Sequence, residues 1–265
     1  MFNLIRADLF KMRKAVSTKI LLCVTTVSAV TMTIMAYLIT QGKINESMKG
    51  FNFLFSDANV MGILSAVIAS IFICGDFENK TIQASISSGI NRIKLIFSKA
   101  IVVFCGIGLL LVPYIIVTIV AIVSGASFHM GSIGVCYFNM ILTDSAKILQ
   151  SADIVRILIA TITLLVVYVS QASICIPIAL AVKKPIIVVV LFYVINISVG
   201  QLAPFAEKSD VFSTILSATP IDSKYLFISM DSSTGDIMKA LAGSVIFIIL
   251  MLLISYLIFR KAEIK

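Results

Sequence analysis

Six long apolar stretches dominate this 265-residue chain, and none of them carries a charged residue in its interior. An α-helix rises about 1.5 Å per residue, so about 20 apolar residues cross the hydrocarbon of a bilayer. The hydrophobic share of 60% and the charged share of 13% are far from the usual composition of soluble domains. The sequence therefore predicts an all-α, polytopic membrane protein with a single domain, residues 1–265. The six predicted transmembrane helices are residues 20–39, 59–75, 100–123, 157–180, 185–201 and 240–259.

The basic residues are distributed unevenly between the two sides of this predicted bundle. If the chain begins in the cytoplasm, 14 of its 21 Lys and Arg residues fall in the leader, the loops and the C-terminal segment on that side. Cytoplasmic segments of membrane proteins carry such an excess. We therefore expect both termini in the cytoplasm. The net charge of +8 is explained by these membrane flanks, so no nucleic-acid partner is expected.

The leader, residues 1–19, has the pattern of an amphipathic helix. Apolar residues three or four positions apart form one stripe, which consists of Phe2, Ile5, Leu9, Met12 and Val16. Basic residues lie mostly off this stripe. We expect an interfacial helix whose apolar stripe meets the acyl boundary and whose cations face anionic headgroups. The alternative is an ordinary basic flank that anchors the first span.

The loop between the second and third predicted spans predicts two helices joined by a tight turn. Asn79 or Thr81 would cap a short helix that ends at Ser88. Gly89 suits the left-handed position that closes a helix. Asn91 would cap the next helix, which continues into the third span.

The short helix of this loop carries Ile82 and Ile86 on one face. Such a face can pack into a groove on a partner protein. Packing against the protein's own bundle is the alternative, and the pattern favours neither.

Two prolines fall inside predicted spans. Pro113 lies in the middle of the third span and Pro177 lies near the inner end of the fourth, where each removes a backbone hydrogen bond and can kink the helix. A tight turn is predicted at Lys183 and Lys184, with Pro185 in the first position of the fifth helix.

The predicted spans offer only uncharged polar groups to a transported substrate. The candidates for a pathway are Thr26, Ser28, Thr33, Gln171 and Asn196. Helix-to-helix hydrogen bonding, typically worth about 0.6 kcal/mol per bond, is the alternative role for each. Ion-coupled transporters generally keep ionisable residues within the membrane, so a secondary transporter or channel is the weaker hypothesis. An apolar pathway suits an amphipathic cargo better than a small ion.

Sequence motifs for catalysis are missing from the chain. It contains no G-x-x-x-x-G-K-[ST] loop and no H-E-x-x-H pattern. The only histidine, His129, has no second candidate base nearby, and the five cysteines are dispersed. We therefore expect no enzymatic activity, no metal and no cofactor in this chain. Any ATP hydrolysis would come from another polypeptide.

The loop sequence resembles the first cytoplasmic loop of type-2 ATP-binding-cassette (ABC) exporter permeases. The residues that carry the resemblance are the run Asp-Phe-Glu-Asn-Lys-Thr-Ile from Asp76, the later Ser-Gly-Ile-Asn-Arg-Ile-Lys, and Ser98-Lys99 at the start of a span. The chain differs at Lys80, where the family frequently has glycine. The amphipathic leader and the six predicted spans fit the same family, and the chain looks most similar to permeases for export of, or immunity to, lantibiotics and bacitracin.

The resemblance implies a bacterial plasma-membrane exporter subunit for an antimicrobial peptide or a lipid-like compound. A separate cytoplasmic ATPase subunit, which holds the ATP and Mg, would dock on a coupling helix, and a second identical or related permease subunit would complete the assembly. The residues implied in coupling are Thr81, Ile82, Gln83, Ser85 and Ile86. Asp76 and Glu78 would lie at the inner boundary, paired with Arg92, Lys94 or a basic residue of the partner. A non-transporting membrane anchor or assembly subunit is the other alternative.

Overall fold

The computed structural model describes residues 2–44, 54–124, 151–206, 219–221, 225–226, 228 and 232–261. In that part of the chain the regular elements are helices. They are α1 (Phe2–Lys14), α2 (Val16–Thr40), α3 (Asp57–Ala69), α4 (Gly75–Glu78), α5 (Thr81–Ser87), α6 (Arg92–Val123), α7 (Ser151–Ala172), α8 (Cys175–Val182), α9 (Pro185–Ala206) and α10 (Thr234–Lys261). One segment of π-helix, Ser70–Cys74, joins α3 to α4.

Five helical segments are long and apolar enough to span a membrane. They are Val16–Ile39, Asp57–Glu78, Arg92–Ala121, Val155–Val182 and Thr234–Arg260. The remaining predicted span, residues 185–201, lies in α9, whose apolar portion Pro185–Val199 is shorter. The all-helical fold with several membrane-length helices is confirmed, whereas the count of six spans stays a prediction.

Helix α6 lies at the centre of the bundle. It packs against α1, α2, α3, α7 and α10. A Cβ atom at Gly106 would lie 3.0 Å from Ile68 Cγ2, so the missing side chain allows α3 and α6 to approach closely. The helix continues through Pro113, so this proline does not divide the third span.

The fourth predicted span is divided near Pro177. Helix α7 ends at Ala172 and α8 begins at Cys175. Proline lacks an N–H, and its ring crowds the carbonyl four residues earlier, here that of Ser173. That carbonyl instead accepts the N–H of Ile176 at 3.1 Å. The turn predicted after this span is confirmed, because Lys183 closes α8 in the left-handed conformation and α9 begins at Pro185.

The leader forms a helix, but its predicted orientation is wrong in part. Helix α1 ends at Lys14, because Ala15 adopts an extended conformation. Met12 is buried and Leu9 packs against the core, whereas Phe2 is 86% exposed. Two of the five stripe residues, Leu9 and Met12, therefore contact the core, since α6 presents an apolar surface beside α1.

Four basic segments meet at one end of the molecule, which we call the basic end. They are α1, the loop around α5, the turn after α8 and the end of α10. Arg92 Nη1 donates to the carbonyls of Phe259 and Arg260 at 2.8 and 2.9 Å. Lys183 Nζ lies 5.3 Å from the centre of the Phe77 ring. These contacts bring together segments that are far apart in the sequence.

The turn after α5 is a complete Schellman motif. Gly89 has φ +85°, its N–H donates to Ile86 O at 2.9 Å, and the N–H of Ile90 donates to Ser85 O at 3.2 Å. The prediction for Gly89 is confirmed. Asn91 Oδ1 accepts the N–H of Ile93 at 3.0 Å, so the predicted cap of α6 is also present.

The predicted caps at the start of α5 are wrong. Helix α5 follows Lys80, which has φ 55° and makes no side-chain cap. Asn79 Nδ2 donates back to Gly75 O at 2.7 Å, and Thr81 Oγ1 donates to Asp76 O at 3.0 Å. Both side chains therefore bond to carbonyls of α4 instead of capping the first N–H groups of α5.

We predict that Gly89→Ala lowers the free energy of unfolding by about 1 kcal/mol. A Cβ atom at Gly89 meets nothing within 4 Å, so the cost arises from the positive φ alone. Gly62→Ala is the matched control, because Gly62 also has open space around it but lies inside α3 with an ordinary φ. Denaturant titration in mixed micelles would measure both changes, and equal changes would contradict the prediction.

Candidate functional site

Four charged side chains from three helices form a cluster at the basic end. Lys99 Nζ contacts Asp8 Oδ2 at 2.6 Å and also contacts Asp76 Oδ2. Lys11 Nζ contacts the other oxygen of Asp76 at 2.6 Å. The chain of contacts thus runs Asp8, Lys99, Asp76, Lys11, with alternating charge and no net charge. We call these four residues the charge cluster.

The charge cluster is largely shielded from the surroundings of the protein. The side chain of Asp76 is 2% exposed, that of Lys99 is 8% exposed and that of Asp8 is 13% exposed, while Lys11 is 46% exposed. Removing one partner from a buried ion pair typically costs about 3 to 5 kcal/mol, because a buried charge is left uncompensated. Helices α1, α4 and α6 must therefore all be in place for these charges to be tolerated.

The position of Asp76 depends on the π-helical segment that precedes it. A π-helical turn holds one residue more than an α-helical turn, which rotates everything after it by about 100° around the helix axis. Asp76 lies in α4, directly after this segment. The irregular turn therefore sets the direction in which the Asp76 carboxylate points, toward α1 and α6.

Asp76 also holds the start of α5. Its backbone carbonyl accepts the hydroxyl of Thr81, the first residue of α5. A small cavity of about 180 Å³ lies beside this junction, lined by charge-cluster residues together with Thr81, Ile82 and Ser85. Asp76 thus connects α5 to α1 and α6 through polar contacts.

The predicted pairing of Asp76 is wrong, whereas the predicted pairing of Glu78 stays a prediction. Asp76 pairs with Lys11 and Lys99 instead of Arg92 or Lys94. Arg92 binds the carbonyls at the end of α10, where a cation also complements the helix dipole. Lys94 and Glu78 are exposed. Lys99 and Lys11 form the ion pairs with Asp76 because their helices approach Asp76 on its buried side.

The predicted coupling residues divide between two faces of α5. Ile82 is 1% exposed and Ile86 packs against the core, so the apolar face contacts the protein's own bundle. For Ile82 the assignment to a partner groove is therefore wrong, whereas for the half-buried Ile86 a role in coupling stays a prediction. Gln83 and Ser85 are half-buried and Thr81 is exposed. The outward side of α5 consists of Thr81, Ala84, Ser87 and Ser88.

Four of the five predicted pathway groups bond to backbone carbonyls. Thr26 and Thr33 donate to their own helix, at Leu22 O and Ala29 O. Ser28 donates to Phe55 O at 2.9 Å, and Gln171 donates to Pro220 O at 2.8 Å. None of these four bonds joins two helices, so the predicted alternative of helix-to-helix hydrogen bonding is not what the structure shows: two bonds stay within α2, and two reach Phe55 and Pro220, which lie in turns.

Asn196, the fifth predicted pathway group, is half-buried on α9. It lies on a different helix from the other four, and the described contacts do not gather the five groups into one site.

A second polar site, absent from the sequence predictions, lies at the opposite end of α3. Asp57 is fully buried in the first turn of α3, and Tyr168 donates its hydroxyl to Asp57 Oδ2 at 2.6 Å. Phe55 O accepts both Ser28 Oγ at 2.9 Å and Tyr114 OH at 3.0 Å. Ser56 caps α3, and that capping residue was the one sequence signal that could have placed Asp57 inside a helix.

A metal site is not formed by the described residues, which contain no group of three or more His, Cys, Asp and Glu side chains suited to an ion. His129 and Cys136 lie outside the described residues.

Comparisons with protein-family models, with curated proteins and with solved structures found no match to this chain.

We predict that Lys99→Met lowers the free energy of unfolding by about 3 to 5 kcal/mol, because Asp8 loses its cation and Asp76 keeps only Lys11. Amide hydrogen exchange in α1 should become faster. Lys94→Met is the matched control, since Lys94 is exposed on the same helix and should change stability by less than about 0.5 kcal/mol. Equal effects of the two substitutions would contradict the role of the charge cluster.

We also predict that Tyr168→Phe destabilises the protein by about 1 to 3 kcal/mol, because the buried carboxylate of Asp57 loses a hydrogen-bond donor. Tyr193→Phe is the control, because Tyr193 is 45% exposed and a change there should stay within about 0.5 kcal/mol. Unfolding in mixed micelles measures both, and a neutral Tyr168→Phe would show that the hydroxyl adds nothing.

Proposed function

We propose that this chain is the membrane permease subunit of an ATP-driven exporter of the type-2 ABC kind. In this proposal, ATP hydrolysis takes place on a separate cytoplasmic ATPase subunit, since the sequence has no nucleotide-binding loop. The resemblance of the loop from Asp76 to Lys99 and the membrane-length helices support it.

The observation that carries the proposal is the position of α5. This short helix lies at the basic end, between two membrane-length segments, and its outward side is polar and small. Its inner side is fixed to the bundle by Ile82 and by the junction at Asp76. A subunit that pushes on Thr81, Ala84 and Ser88 would therefore move α6 and α1 together with α5. Such a firmly attached helix suits the transmission of force.

The finer topology belongs to the same proposal. We infer that α9 is the sixth span, that both termini lie in the cytoplasm and that the membrane is the bacterial plasma membrane. The meeting of four basic segments at one end supports this orientation, because cytoplasmic segments are enriched in Lys and Arg. A second permease subunit would complete the assembly, and its cargo would be an antimicrobial peptide or a lipid-like compound.

The buried Asp57 favours a second candidate function, an ion-coupled transporter. Ionisable residues inside a membrane bundle often mark ion or proton pathways. Asp57 bonds to a tyrosine and lies in the first turn of a helix, where the dipole stabilises a carboxylate. A non-transporting anchor subunit gains no such specific support.

The docking surface of this proposal is tested with Ala84→Glu. Ala84 is exposed on the outward side of α5, so a carboxylate there should leave the fold intact while it disrupts a closely packed partner. We expect the vanadate-sensitive ATPase activity of the complex to fall at least tenfold. Asn3→Glu, which places the same charge on an exposed position of α1, should retain the activity.

Three outcomes would contradict the ATP-driven proposal. The chain copurifies with no ATPase, Ala84→Glu leaves the activity unchanged, or transport follows an ion gradient and is indifferent to vanadate. The last result, combined with a loss of transport in Asp57→Asn, would support the ion-coupled alternative.

A further inference from the structure

The side of α1 that points away from the bundle combines aromatic and basic residues. Phe2 is 86% exposed and Phe10 is 62% exposed. Arg6, Arg13 and Lys14 are exposed on the same side of the helix. We call these five residues the outer face of α1. It shares Phe2 with the predicted apolar stripe, whose residues Leu9 and Met12 pack against the protein.

The outer face carries only positive charge. Asp8 is the one acidic residue of the leader, and its carboxylate is bound by Lys99 inside the bundle. Because Lys99 neutralises this carboxylate away from the outer face, no acidic side chain of α1 repels an anion there. Lys14 Nζ lies 6.0 Å from the centre of the Phe10 ring, so cation and ring are neighbours on this face.

The outer face lies directly before the start of α2, where a span formed by α2 would leave the membrane. Ala15 is extended (φ −63°, ψ 131°), so the chain changes direction between α1 and the membrane-length helix α2. The first residues of α2 continue the apolar surface, since Val16 is 68% and Ile20 is 57% exposed. If α2 spans the bilayer, the outward side of α1 lies at the bilayer surface.

We propose that the outer face of α1 binds anionic phospholipids. Phe2 and Phe10 insert at the boundary between headgroups and acyl chains, and Arg6, Arg13 and Lys14 contact lipid phosphates. Amphipathic helices with aromatic residues and cations bind membranes in this way, and each cation near an anionic surface strengthens binding about fivefold. The proposal concerns the leaflet that α1 faces and does not depend on the proposed transport function.

The absence of tryptophan from the sequence permits a direct test. Phe10→Trp gives the full-length protein one fluorescent reporter at an exposed position. The protein is reconstituted in bilayers in which either the anionic lipid, phosphatidylglycerol, or the zwitterionic lipid, phosphatidylcholine, carries brominated acyl chains. We expect the reporter to be quenched by lipid, with a preference for the anionic lipid of at least about fivefold, the factor for a single cation. Phe2→Trp is a second reporter on the same face.

A reporter at the other end of the bundle provides the control. Val123→Trp lies at the end of α6, where the native side chain is 81% exposed, and it should be quenched by both lipids without preference. Replacing Arg6, Arg13 and Lys14 by Gln in the Phe10→Trp protein should abolish the anionic preference and retain the quenching. High salt should do the same, because 1 M salt screens charges beyond about 3 Å.

Three results would overturn the proposal. The Phe10→Trp and Phe2→Trp reporters are quenched by acrylamide in water and not by brominated lipid, which would place the face in solvent. They are protected from both quenchers, which would indicate a protein partner. They are quenched equally by the two lipids at low salt, which would show that the face contacts lipid but does not prefer anionic headgroups.

Discussion

The buried ammonium of Lys99 constrains the whole basic end of this protein. It lies between the carboxylates of Asp8 and Asp76, which belong to helices far from it in the sequence. A buried ion pair contributes little net stability compared with apolar packing, but leaving one of its members alone is costly. The charge cluster therefore acts mainly as a condition on assembly, because α1, α4 and α6 are compatible only in the arrangement that pairs all four charges. The orientation of α1 and the attachment of α5 both follow from that condition.

Two irregular helical segments face each other in the bundle. The π-helical segment Ser70–Cys74 packs against α8, the short helix that follows the break at Ser173. Cys74 Sγ lies 3.7 Å from Ala179 O across this contact. In a membrane, irregular backbone is tolerated where neighbouring helices and side chains satisfy the freed polar groups. The π-helical segment in turn sets the direction of Asp76, so a local distortion in one span positions the charges at the basic end.

Helix α5 illustrates a limit of amphipathic patterns. The spacing of Ile82 and Ile86 shows that one side of the helix is apolar, but the same spacing fits a partner groove and the protein's own core. The structure places Ile82 in the core, and this leaves Ala84 and its polar neighbours for any partner. The proposed transmission of force between subunits would benefit from this division, since the buried side fixes the helix while the outward side is exposed.

The sequence by itself determined the membrane-length helices and several local turns. The Schellman turn at Gly89, the cap at Asn91 and the turn before Pro185 depend on residues within a few positions of each other, so local stereochemistry was sufficient to predict them. Only the tertiary structure decided which cations pair with Asp76, which side of α1 packs inward and that Asp57 is buried. Those outcomes depend on which helices become neighbours, and hydrophobicity alone does not specify helix neighbours in a bundle, because every span is apolar on all sides.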